Sequence, residues 1–406
     1  MLIKDVRQFP IACLLLLHAA CAGDSATATE STQTTRQSLS VDRSVTQATV
    51  AAQYALNTHQ AYVDSTIAAR QLNRAIKAFV ASPSPGALRA ARQAWVASRV
   101  PYRQTEVYRF YDGPIDDPAD DREVRVNAWP LDEAYIDSVQ GNPGAGIIND
   151  PVNFPKIDRD TLLAANFIGS DANVATGYHA IELLLWGQDH SVDGPGNRPF
   201  TDFVDGRGGT LRNAARRRAY LSVAGDLLVE DLQHVADRWD PRTGDYPPVF
   251  LADATVALTL AGTGTFQLAS EELSSERMLA AYESQDQEDE HSCFSDTTRD
   301  DLIGNALGIK NVYLGEWGRH DGPGFDDLVK AINPALDARM KQELRDTLAA
   351  LEAIPQPFDQ AILGDDTKPS RVAVLAAIRK VQQLGETVIE VGDTIGLNTG
   401  FAPGSR

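Results

Sequence analysis

The sequence predicts an all-α protein of antiparallel helices in bundle-like packing, on three observations. Apolar residues recur at helical spacing, strand-like alternation is scarce along the whole chain, and Pro, Gly and Ser stand where the periodic stretches end. With 406 residues, 43% of them hydrophobic, the chain can fill one large core or two medium ones. No repeat of fixed period is visible, which disfavours a solenoid.

The first twenty-one residues read as an export signal. Lys4 and Arg7 precede the apolar run IACLLLLHAAC, too short to span a bilayer, which needs about 20 apolar residues. Its end, residues 17–21, is similar to a bacterial lipoprotein signal, with Cys21 as the lipidated residue, although His18 stands where an aliphatic residue is usual. Plain secretory cleavage nearby is the other outcome. Either way the protein is expected in the periplasm or at the outer membrane, and any membrane attachment is through that lipid alone. If Cys13 and Cys21 are removed or modified, only Cys293 remains, so no intramolecular disulfide forms.

Residues 22–44 are rich in Ser, Thr, Ala and Gln and read as a flexible tether; 45–400 is the helical domain and 401–406 a tail. Leu72, Ala75, Ile76, Phe79 and Val80 form the first apolar stripe, which Pro83, Pro85 and Gly86 end. Leu88, Ala91 and Trp95 line the next helix, as far as Pro101. Leu221, Ala224, Leu228, Leu232 and Val235 define a long helix ending near Trp239. Leu302, Ala306, Ile309 and Tyr313 give another, Leu336 to Leu351 a further one before Pro355, and Leu375, Ile378, Val381 and Val388 the last, beginning after Ser370. The stretches 112–121, 141–155, 187–203 and 284–300 are long and irregular, which in a helical protein points to function or disorder.

The formal net charge of −19 argues against nucleic acid or an anionic membrane surface as partner. Cations or cationic ligands suit it better. The most informative motif is GYHAIELLLWGQDH, residues 177–190, which sets His179 and Glu182 in a helix apolar all round. His179, Glu182, Leu183 and Trp186 share one face, and a buried carboxylate needs a cation, a donor or a metal. A His-x-x-Glu pair can share a metal such as iron or zinc, or satisfy itself within a core. The zinc-protease pattern His-Glu-x-x-His is absent, so any metal needs donors from elsewhere.

Those donors are sought in three places. In SQDQEDEHSCFSD, residues 284–296, Glu290, His291 and Asp296 are ligand or wall candidates, whereas Cys293 is more simply a small buried hydrophobe. Arg99, Tyr102, Arg103, Glu106 and Arg109 fall near helical spacing if the helix resumes after Pro101, as a salt-bridged surface or as a polar wall facing His179. In NAWPLDEAYID, residues 127–137, Trp129 and Pro130 read as a packed turn. No phosphate-cradling loop, dinucleotide fingerprint or serine-protease motif is present.

GYHAIELLLWGQD, EDEHSCFSDTTRDDLIGNALGIKNVYLGEW, RVPYRQTE and NAWPLDEAYID together resemble the imelysin family, over residues 45–400. That family includes an insulin-cleaving membrane peptidase and iron-regulated proteins, and residues 290–317 resemble the iron-regulated branch in particular. Its Gly-x-His-x-x-Glu signature corresponds to Gly177, His179 and Glu182. The resemblance implies two bundle-like helical halves with the signature near their junction. It also implies one of two functions. The first is an exported iron-acquisition protein that binds a metal ion, a chelate or a partner protein through His179 and Glu182, walled by Gly177, Trp186, Glu290, His291, Asp296, Arg103 and Glu106. The second is a metal-dependent peptidase acting on a peptide or protein ligand. A third reading makes the His–Glu pair architectural in a non-catalytic interaction protein.

Overall fold

The Thr46 side chain accepts from the Thr49 N–H and the Thr49 hydroxyl accepts from the Thr46 N–H, a reciprocal cap that opens the first helix. The structure, a computed structural model, describes residues 45–397. Helix α1 (Gln47–Ala81) ends before Pro83, and Ser84 caps α2 (Pro85–Tyr102) with Pro85 in its first turn, where a missing N–H costs nothing. Further helices follow: α3 (Gly177–Trp186), α4 (Ala214–Arg238), α5 (Ala254–Gln267), α6 (Thr298–Leu314), α7 (Pro334–Glu352) and α8 (Pro369–Thr394). The only β-ladder among the described residues pairs Glu316–Trp317 with His320–Asp321. The chain is all-α.

Two groups of helices share one continuous apolar core. In the first, α1 packs on α2 and α4, and α3 lies against α2 and α4. In the second, α8 packs on α7, on α5 and on the π-helical stretch Leu268–Leu279 that continues α5. The groups meet where α1 touches α5 and where α6 runs along the turn Arg103–Tyr108. Gly304 allows that last approach, because a Cβ there would lie 2.4 Å from the Arg103 Cβ.

The turn corrects one expectation. Pro101 stays within α2, but its missing N–H leaves the last turn weakened, and the chain tightens into the 3₁₀ turn Arg103–Tyr108 rather than resuming an α-helix. Arg99 near the end of α2 and Arg103 and Glu106 in the turn are buried and form no solvated surface. The last helix starts at Pro369, just ahead of its expected start after Ser370. The long stretches keep their irregular character, apart from short 3₁₀ turns such as Ile147–Asn149, Phe200–Phe203 and Gln287–Asp289. Among the described residues, no helix is long and apolar enough to cross a membrane. The export signal, Cys21, the tether 22–44 and the tail 401–406 lie outside the described residues.

Candidate functional site

Every residue of α3 is buried, as its composition predicts. Its start is fixed by Gly177, at φ +90, where a Cβ would stand 2.6 Å from the Val126 carbonyl oxygen. Only glycine meets both demands. Trp95 then donates its indole N–H to the Tyr178 carbonyl at 3.0 Å, which fixes the helix against α2.

Within this helix His179 Nδ1 lies 2.9 Å from Glu182 Oε2, and the other Glu182 oxygen accepts from the Ser295 N–H at 2.9 Å. The His179 Nε2 is buried and has no hydrogen-bond partner. His291, in the loop that leads into α6, sets its ring 4.7 Å from that of His179 at 73°. The two signatures that the sequence separates by more than a hundred residues therefore touch.

His291 is oriented in the same way as His179. Its Nδ1 is 2.7 Å from Asp301 Oδ2, while Nε2 faces the Asn127 amide at 3.5 Å. Burial, reinforced by Arg277, pushes the His291 pKa well below the usual imidazole range, so the ring is neutral at pH 7. A neutral ring donating from Nδ1 to a carboxylate keeps its Nε2 lone pair as an acceptor, here turned to the Asn127 amide. Burial alone would raise the Asp301 carboxyl, but Arg99, Arg103 and His291 outweigh it and hold it well below the carboxylate range. Arg103 Nε reaches Asp301 Oδ1 at 2.5 Å, Arg99 Nη2 reaches it at 3.2 Å, and Ser292 donates to Oδ2 at 2.5 Å.

A cavity of about 540 Å³ opens beside His291, lined by Arg109, Glu123, Asn127, Trp129, Glu272 and Arg277. Glu106 lies behind its wall, 2.7 Å from both Arg109 and Arg277. Burial would raise Glu106, yet the two arginines take it below the usual range. Glu123 goes the other way, to about 7, because burial and the nearby Glu106 and Glu272 together exceed the pull of Arg109. A carboxyl near neutrality at a cavity wall can exchange a proton at physiological pH.

The remaining candidates divide. Arg103 acts on His291 through Asp301, whereas Trp186 packs on Trp95 at 5.3 Å and under Arg92, with no ring contact to either histidine. Glu290 and Asp296 turn to a third partner, Asp359, with one oxygen of each within 4.8 Å of the others. This is the only such trio of His, Cys, Asp or Glu side chains among the described residues. Burial raises Glu290 well above the carboxylate range, and burial together with Asp189, Asp359 and Glu182 lifts Asp296 to about 7. Cys293 is a buried free thiol whose pKa burial raises, as expected of a small hydrophobe.

Sequence reasoning missed Asp301, Asn127, Arg277 and Asp359, which come from four separate elements and carry no local pattern. It also read Trp129 as packing alone. Its indole N–H donates to the Glu290 carbonyl at 2.7 Å, and its ring meets His291 at 5.4 Å.

Comparison with known proteins finds similarity in family, in sequence and in fold. The family model described as Imelysin matches residues 58–388. Iron-regulated protein A of Synechococcus elongatus is 25% identical over 331 residues, 78% of this chain and 78% of that protein. A crystal structure from Parabacteroides distasonis that carries the name iron-regulated protein A precursor superposes with a TM-score of 0.66, at 20% identity, over 86% of this chain and 95% of the other. At that identity the superposition speaks for the fold alone.

Proposed function

We propose a function from the premise that this chain belongs to the imelysin family. It is an exported protein of iron acquisition, held in the periplasm or at the outer membrane, that binds a metal ion, bare or chelated, where His179 meets His291. The observation that carries this reading is the bare Nε2 of His179. A buried ring nitrogen without a partner costs about 1–3 kcal/mol, a cost that a ligand at that atom removes. His291 offers a second nitrogen, and both rings are held through Nδ1 by a carboxylate, the arrangement that orients imidazole ligands in metal sites.

The residues present fit a metal ion of the iron or zinc type, which imidazole nitrogen suits. Bound there, the ion would supply a Lewis-acidic anchor for the oxygen donors of a chelate. Glu182, with one oxygen on His179 and the other on Ser295, orients the ring rather than adding a donor of its own. Asp301 does the same for His291. Asn127 and Trp129 line the cavity beside His291, and its volume admits a small chelate.

Titration with ferric nitrilotriacetate and with zinc chloride tests this reading. His179→Ala and His291→Ala are expected to weaken binding at least tenfold, and Glu182→Gln by about 10- to 100-fold through lost orientation. Equal affinity in wild type and all three variants would sink it. The peptidase reading has one observation in its favour, the Glu123 carboxyl near pH 7 on the same cavity, suited to a general base. Cleavage of denatured insulin chains that a chelator stops and Glu123→Gln abolishes would establish that activity. The purely architectural reading accounts for His179 Nδ1 and Glu182 but leaves Nε2 unexplained.

A further inference from the structure

The carboxylates of residues 290–301 have two different fates. Asp301 is met by two arginines. Glu290 is completely buried, and neither of its oxygens has a hydrogen-bond partner. The Thr298 hydroxyl is near enough only to ease its charge. Glu290 is turned into a group with Asp296 and Asp359, each of which also keeps a bare Oδ1. None of the three forms an ion pair among the described residues, and Asp189 adds a fourth carboxyl beside Asp296. A buried carboxylate without a counter-charge is unfavourable unless it takes up a proton or a cation.

We infer that Glu290, Asp296 and Asp359 bind a hard cation of the calcium or manganese class through oxygen alone, at a site separate from the histidine pair. Calcium holds oxygen at about 2.3–2.6 Å, so donors on opposite sides of one ion stand about 4.6–5.2 Å apart. One oxygen of each residue lies within 4.8 Å of the others, close enough for one ion to be held by all three. With no nitrogen or sulfur in the set, the chemistry favours hard cations, whereas the imidazoles favour zinc or iron. Asp296 is partly exposed and gives solvent a way in, while Glu290 and Asp359 form the closed side. The cation ties the short helix Phe358–Ile362 to the loop that carries His291 and the Ser295 N–H bound to Glu182.

Terbium, a hard oxygen-seeking ion, is the probe, with Trp129 as antenna through its contact with the Glu290 carbonyl. One ion per chain is expected, displaced by calcium or manganese more readily than by zinc. Glu290→Gln and Asp359→Asn should weaken it at least tenfold, and His179→Ala should leave it within twofold. In excess chelator the two buried variants should melt no lower than wild type, since each removes an unpaired carboxyl. Asp296→Asn, at a partly exposed position, gives the same test if the buried replacements disturb folding. Terbium bound equally by all carboxylate variants, or lost only with His179, or not bound by wild type, overturns the site. None of these outcomes depends on iron or zinc at the histidines.

Discussion

Asp301 and Glu290 are buried carboxylates eleven positions apart in the chain, and their surroundings could hardly differ more. Asp301 accepts from Arg103, His291 and Ser292 and stays ionised far below the usual range. Glu290 has no partner on either oxygen and is driven far above it. Burial acts on both in the same direction, so the sign of the result is set by the cations each neighbourhood supplies. Where the protein brings its own arginines, the carboxylate is part of the framework. Where it brings more carboxylates, the site is left to a proton or an external ion.

The largest expected effect comes from removing the partner that is framework. Asp301→Asn leaves Arg99 buried without a negative charge, Arg103 with only the more exposed Asp300 at 3.8 Å, and His291 without its charged anchor, and is expected to cost about 3–5 kcal/mol in urea denaturation. Glu290→Gln, a swap of equal size and depth, should change stability by no more than about 1 kcal/mol in chelator. Equal losses in the two variants would erase the distinction between them.

The sequence revealed the two halves of this comparison unequally. Helical periodicity and the greasy helix around His179 fixed the all-α class, because burial of an apolar stripe is a local property of the chain. His291 was legible as a candidate from the mixture of ligand types around it. That it stands against His179 was not, since the contact is made by packing between helix groups. The charged row from Arg99 to Arg109 was ambiguous for a related reason. Spacing gives the face of a helix, but not whether that face meets solvent, and the 3₁₀ turn after Tyr102 changed the face as well. Asp359 carried no signal, because its role comes from the long-range approach of Phe358–Ile362 to the 290–296 loop.

pH separates the same two neighbourhoods, with an expected effect of about 1–2 kcal/mol after discounting for the partial exposure of Asp296. The Asp296 carboxyl is raised to about 7, so between about pH 4 and 7 the folded chain keeps a proton that the unfolded chain has lost. Stability from this group therefore falls as pH rises through that window. Asp301 is depressed, so its contribution is present above about pH 4 and is lost only as the pH drops toward its folded value. Glu123 and Glu133 are also raised to about 7 and add to the first slope, which makes the difference between wild type and Asp296→Asn the quantity to measure. In chelator, urea midpoints at pH 5 and pH 7.5 should diverge less in the variant. A slope identical to wild type would mean that Asp296 is not held protonated in the folded chain.

Trp129 touches both neighbourhoods, and its replacement has the smallest expected effect. The ring packs edge-on against His291, and the indole N–H satisfies the Glu290 carbonyl. Trp129→Phe keeps most of the first contact and removes the second, leaving a backbone acceptor without its donor. The expected cost is about 0.5–1.5 kcal/mol, that of one neutral hydrogen bond. Affinity for zinc at the histidine pair should stay within threefold, because the Nδ1 anchors on Glu182 and Asp301 are untouched. Terbium should still bind, detected by displacement rather than by sensitised emission, since the antenna is gone and the three carboxyls remain. A loss of zinc affinity as large as that of His291→Ala would show that the indole, and not Asp301, positions the ring.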